Sequence, residues 1–292
     1  MQEIAAGEVL HEPMNRDHGI SGVPIWYPYH PGGETDDVLS PFAKDVERLT
    51  DDFFLGRSKY VRQLRDGPIH RRIGRRLLKS SMERGYRRAF TAGEEKQIIL
   101  KDPFSLFCIP YLVEKHSARV VIIVRHPGAL LVSMRRMGWS SIVPSLIEQP
   151  GLLSLAKTDK KEALAILAQS DVVQNAWSWK ISQVWTRHLL AKYPGNVIFV
   201  RHEDLSLERE GAVEKLLAHL ELSAHLAGAR NFIRETTVGG VTAPEDGVLH
   251  EAKRDGASLV SYWQTRLTDQ EKVDLANAVG EELAYFFPEK FV

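Results

Sequence analysis

The stretch VVIIVRHPGALLVSM, residues 120–134, decides how the chain is read. Val120, Val121, Ile122, Ile123 and Val124 are β-branched throughout and apolar without alternation, the pattern of a strand covered on both faces in a parallel sheet. Pro127 lacks an N–H and has a φ preset for a first helical turn, so a helix is expected to begin there. Arg125 then stands at the carboxyl end of a central strand beside a helix N-terminus. In open α/β sheets ligands bind at that place, and anions are favoured.

Working outward, strands are expected at 98–101, 120–124 and 196–201. Helices are expected at about 42–65, 71–88, 104–116, 127–138, 152–168, 171–192, 208–221 and 268–285, with a loop over 236–257. Strands alternating with helices predict one α/β domain, 1–292, with a parallel sheet flanked by helices. Three strand ends carry polar groups: Lys101 and Asp102, then Arg125, then Arg201, His202, Glu203 and Asp204. In one parallel sheet these ends converge on a single crevice suited to an anion.

Composition excludes several classes. The 292 residues are 43% hydrophobic and 26% charged, ordinary for a globular chain. No apolar run approaches a membrane span, and the first residues lack the features of a signal peptide. The single cysteine, Cys108, sits among Phe107, Ile109 and Pro110 and reads as a small buried hydrophobe; a reducing, cytoplasmic setting is expected. The net charge is zero, yet 62–88 holds ten basic residues against Asp66 and Glu83. A basic patch can attract an anionic substrate or nucleic acid, but Ile73, Leu77 and Leu78 favour an amphipathic helix with a solvated charged face. His11, His18, His126 and His202 show no metal-ligand spacing, so no metal is expected.

The chain resembles the sulfotransferase family, which moves a sulfuryl group from 3′-phosphoadenosine 5′-phosphosulfate (PAPS), and is similar above all to its bacterial, carbohydrate-directed members. The resemblance runs through VLHEPMN, LKDPFSLF, VVIIVRHPGALLVSMRRMGW, VIFVRHEDL and KRDGASLVSYWQTRLT, in the family's order. It implies a P-loop nucleotide-binding architecture. It implies that Arg125 and Ser133 bind the 3′-phosphate, that His202 lies near the adenine, and that Lys253 and Arg254 belong to a basic loop closing over the 3′-phosphate. It also implies Glu12 as base for the acceptor and Lys101 as the cation approaching the sulfuryl group, with His11 and His126 as lesser acid–base candidates. The partner is then a small-molecule or glycan hydroxyl, or an amine; the oligomeric state stays open.

One departure stands out. The family's phosphate loop, P-[KR]-[ST]-G-T-T, is not in this sequence, and neither is G-x-x-x-x-G-K-[ST]. HPGGET at 30–35 has glycines but no lysine or arginine. In the family the HEP segment follows that loop and its helix, so the first strand, loop and helix are expected to be missing, through a late start assignment or a true truncation. Such a chain is expected to be poorly soluble or inactive alone. The rival from another class is a non-catalytic relic that binds adenosine 3′,5′-bisphosphate or a glycan. A nucleotide kinase would need a Walker lysine and a magnesium-holding Ser/Thr, which the sequence lacks.

Overall fold

The computed structural model describes residues 8–33, 35–61, 81–91, 97–207, 211–237 and 255–288. They fall into two compact units, Met1–His116 and Ser117–Val292. Among the described residues the strands form two parallel pairs, β1 with β2 and β3 with β4, where the sequence predicts one sheet.

In the first unit β1 (Glu8–His11), a strand that the sequence reading does not anticipate, pairs with β2 (Ile98–Lys101) so that His11 stands opposite Lys101. The helices Ala43–Phe54 and Ser81–Thr91 enclose a core of Leu10, Met14, Ile20, Val23, Leu49, Phe53, Tyr60, Tyr86 and Ala89. Apolar side chains at 46, 49 and 53 share one helical face, which is why this helix docks there. It stops well short of residue 65. Gly56, at φ +72°, donates to Phe53 O at 3.1 Å, and Arg57 N donates to Asp52 O at 2.8 Å. That pair of bonds is the left-handed Schellman closure, which a glycine adopts without steric cost. Cys108 is buried as expected and donates to Pro28 O at 2.9 Å; burial pushes its thiol pKa up.

In the second unit β3 (Val120–Val124) pairs with β4 (Val197–Arg201), placing Val124 opposite Arg201. The helix Pro127–Met137 begins at Pro127 as the sequence predicts, and Gly138 at φ +62° closes it. The expected helix over 152–168 is instead broken. Pro150–Leu155 and Lys160–Ile166 are separate short helices, with Pro150 opening the first and an Asp159/Glu162 capping box opening the second; Val143–Ile147 precedes them. The long helix Asp171–Lys192 starts at the Ser170 cap. Arg135 ties three helices together: it forks onto Asp171 at 2.6 and 2.8 Å and reaches Glu271 at 2.7 Å. The region after β4 adds the helices Leu226–Thr237 and Gly256–Ser261.

The strands are less covered than their sequences suggest. Val124 and Ile122 are buried, but Ile123 is 45% exposed, and Ile98, Ile99 and Leu100 are half-buried. The unbroken apolar run predicts cover on both faces. A strand sends alternate side chains to opposite faces, and among the described residues the face of β3 with Ile122 and Val124 is better covered than the one with Val121 and Ile123.

The start of the helix Pro127–Met137 depends on a close approach. A Cβ on Gly128 would lie 2.5, 2.8 and 2.9 Å from three indole atoms of Trp263. Alanine is favoured over glycine in a helix by about 1 kcal/mol, so propensity alone makes Gly128→Ala stabilising. Overpacking against the indole is expected to reverse the sign and cost about 1–3 kcal/mol. Urea denaturation measures it; a variant as stable as wild type would show that the indole gives way freely.

Candidate functional site

The polar groups gather where the strands end, once in each unit. At the exit of β1, Glu12 takes the left-handed conformation, φ +49°. Its amide donates to Lys101 O at 2.8 Å, continuing the β1–β2 ladder by one residue. The register sets its side chain beside Lys101, whose Nζ donates to Glu12 Oε1 at 2.5 Å. Asn15 Nδ2 donates to the other oxygen at 3.0 Å, while Asn15 Oδ1 accepts from the amides of Asp17 and His18. Desolvation pulls the Glu12 pKa upward. The hydrogen bonds from Lys101 and Asn15, with the Lys101 charge, outweigh it and hold this carboxyl below the usual range.

Asp102 holds this loop to β2. It accepts from Met14 N at 2.7 Å, Phe104 N at 3.0 Å and Ser105 Oγ at 3.0 Å. Desolvation still pushes its pKa up to about 6 against those three donors. The turn closes on Gly19, where a Cβ would lie 2.1 Å from Pro13 O. The rings of Trp26 and Tyr27 rest on Phe104 at 5.0 and 5.1 Å. Burial raises the Tyr27 phenol to about 12, helped by the charges of Asp102 and Glu12. Asp102 as a clamp, Gly19 and Tyr27 were not singled out from the sequence. The glycine six places beyond Pro13 was the available signal for the tight turn.

The HPGGET string does something other than cradle a phosphate. Gly33 N donates to Glu114 Oε2 at 2.6 Å and Gly32 N to His30 Nδ1 at 3.1 Å, so those amides serve side chains of the same unit.

At the exit of β3, Arg125 is half-buried and its backbone is held from two sides. Trp179 Nε1 donates to Arg125 O at 2.9 Å, and the following amide, His126 N, donates to Glu203 Oε1 at 2.9 Å. Glu203 is 2% exposed, and its Oε2 has no hydrogen-bond partner among the described residues. Burial raises its pKa, opposed by the His126 amide and the charges of Arg125 and Arg201. Arg201 itself forks onto Asp204 at 2.6 and 3.0 Å.

His126 caps the helix Pro127–Met137. Its Nδ1 accepts from Gly128 N at 3.2 Å, its ring stacks on Trp263 at 4.3 Å, and burial lowers its pKa to about 4. Ser133 is half-buried on the same helix, seven residues after His126. Seven residues are close to two turns, so it lies on the same face as His126, about 10 Å along the axis. His202 opens the helix His202–Ser206, with Nδ1 3.4 Å from Ser206 Oγ. Lys253 and Arg254 lie outside the described residues. Asp255 caps the helix Gly256–Ser261 by accepting from Ser258 N at 2.8 Å. Among the described residues no three His, Cys, Asp or Glu side chains gather as a metal site, and no helix is long and apolar enough to cross a membrane.

Parallel strand pairs with helices between them, carrying cations and carboxylates at their carboxyl ends, fit an α/β fold. The chain belongs to the sulfotransferase family: the family model described as a sulfotransferase domain matches residues 39–238, more than half of the sequence. That match spans Lys101, Arg125, Ser133 and His202 and leaves Glu12, Lys253 and Arg254 outside it. No curated protein and no solved structure matches the chain.

The Glu12–Lys101 pair makes a prediction with a definite sign. A carboxyl whose pKa is lowered by folding stabilises the fold above its ordinary value, and that stabilisation is lost as pH falls through the lowered value. Lys101→Met is expected to raise the Glu12 pKa in a carboxyl-carbon NMR titration and to shrink the acid-side loss of stability. Asp102 has the opposite sign, gaining a proton on folding as pH drops below about 6. An unchanged Glu12 titration in Lys101→Met would show that the ion pair does not control this carboxyl.

Proposed function

We propose that the chain transfers a sulfuryl group from PAPS to a hydroxyl acceptor, a carbohydrate before other classes. The observation that carries this reading is the Arg125 turn: a cation at a strand exit, its backbone pinned on both sides, beside the first turn of a helix that carries Ser133. A guanidinium fork and a hydroxyl suit a dianionic phosphate, and the pairing of Arg125 with Ser133 on the 3′-phosphate is taken from the family resemblance. Lys253 and Arg254 are assigned to the same phosphate and His202 to the adenine side, on the family resemblance.

The co-substrate, when bound, supplies an activated sulfuryl group whose bridging oxygen leaves with negative charge. What the chain's own residues do follows from their chemistry. Glu12, ionised and tied to Lys101, accepts the proton of the acceptor hydroxyl. Lys101 offers its ammonium to negative charge that develops during transfer. The lowered pKa makes Glu12 a modest base while it holds Lys101, so the pair must loosen for the carboxylate to work at full strength. The carbohydrate preference rests on the resemblance of VLHEPMN and its neighbours to carbohydrate-directed members.

Two measurements test this. Arg125→Ala is expected to weaken adenosine 3′,5′-bisphosphate by about ten- to a hundredfold in calorimetry, the loss of one charge-assisted contact. Adenosine 5′-phosphate should change little. Equal losses for both nucleotides would remove Arg125 from the 3′-phosphate. Transfer of radiolabelled sulfate from PAPS to a glycan panel tests the reaction itself; nucleotide binding with no transfer to any acceptor would favour the non-catalytic reading.

A further inference from the structure

We propose that Glu203 is the positioning residue for Arg125: it clamps the amide of His126 and so fixes the turn from which the arginine reaches the 3′-phosphate. This rests on the reading of Arg125 given above and goes beyond it.

The argument begins with the end of the β3–β4 ladder. Val124 pairs with Arg201, and past that point no further ladder bond holds the chain of β3. Arg125 is the next residue, and its position depends on what replaces the ladder. Its carbonyl takes the Trp179 indole at 2.9 Å, and the following amide takes Glu203 Oε1 at 2.9 Å. Glu203 comes from the exit of the partner strand β4, two residues past the pairing that ends the ladder, just as His126 is two residues past it on β3. The carboxylate therefore closes the strand pair one step beyond its last backbone rung.

A surface carboxylate would do this loosely. Glu203 does it from 2% exposure, where a charge is costly unless it is compensated. The compensation is a charge-assisted bond to the amide and the fields of Arg125 and Arg201. Arg201 is already forked onto Asp204. The clamp also carries a second load. His126 caps the helix Pro127–Met137 and stacks on Trp263, so fixing the His126 amide fixes the entry of the helix that bears Ser133.

The test compares three variants in the full chain. Glu203→Gln keeps an acceptor for the His126 amide; Glu203→Asp is one methylene too short to reach it; Glu203→Ala removes it. Affinities for adenosine 3′,5′-bisphosphate and adenosine 5′-phosphate are read by calorimetry. The preference for the bisphosphate is expected to stay within about threefold of wild type in Glu203→Gln and to fall about tenfold or more in Glu203→Asp and Glu203→Ala. Adenosine 5′-phosphate affinity should move little in all three. A purely structural role would lower the melting temperature while leaving the preference intact, or weaken both nucleotides together, and either result overturns the proposal. So does a glutamine variant that behaves like alanine. If Glu203→Ala does not fold, Glu203→Asp decides. A wild-type chain that holds both nucleotides equally removes the reading of Arg125, and the role of Glu203 with it. A wild-type preference that survives in both Asp and Ala overturns Glu203 alone.

Discussion

Both strand pairs are closed in the same way: a carboxylate from the exit of one strand accepts the backbone amide just past the end of the other. Asp102 takes Met14 N at 2.7 Å, and Glu203 takes His126 N at 2.9 Å. The physical reason is the end of a parallel ladder, where amides lose their rungs while still partly enclosed and must find another acceptor. A carboxylate meets that need with a charge-assisted bond, at the cost of its own desolvation. Both groups show the cost in raised pKa values. Candidate site residues lie within two positions of each clamp. Glu12 lies two residues before the clamped Met14, Lys101 one residue before Asp102, and Arg125 one residue before the clamped His126.

The two clamps differ in what stands around them. Near Asp102, Glu12 is engaged by Lys101 and Asn15, which gives an ionised carboxylate and a cation already in contact. Near Glu203, the charges of Arg125 and Arg201 stand among aromatic rings: Trp179, the Trp263 stack on His126, and Phe287 at 5.2 Å from the same ring. A pair of opposite charges in partial water suits proton handling. A partly buried cation whose backbone is held on both sides suits holding an anion, because its field is less screened than in open water. Under the proposed function, that contrast assigns the acceptor side to the Glu12–Lys101 pair and the nucleotide side to the Arg125 turn.

Much of this was legible in the sequence, for local reasons. The run 120–124 and Pro127 set a strand and a helix start that the structure reproduces, and β2 and β4 lie where their apolar runs place them. What escaped depends on partners distant in sequence or on single glycines. β1 is only four residues long and becomes a strand by pairing with β2, ninety positions later. Asp102 and Glu203 were visible as strand-end polar residues, but nothing local shows which amide each accepts. Gly128 looks unremarkable until Trp263 arrives 135 residues on. Glu12 and Lys101 were each singled out, yet their contact follows only from the register of β1 against β2. The sequence offers His126 as a lesser acid–base candidate and gives no sign of its stack on Trp263, which buries the ring and lowers its pKa.

The central claim is that the turn after β3 is a preformed nucleotide-phosphate seat. Amide NMR spectra of the chain, titrated with adenosine 3′,5′-bisphosphate, test it most directly. The account predicts saturable shifts that centre on Arg125, His126 and the helix through Ser133, with small changes in the strands behind them. Shifts confined to the unit that ends at His116, or none at all under saturating nucleotide, would contradict it.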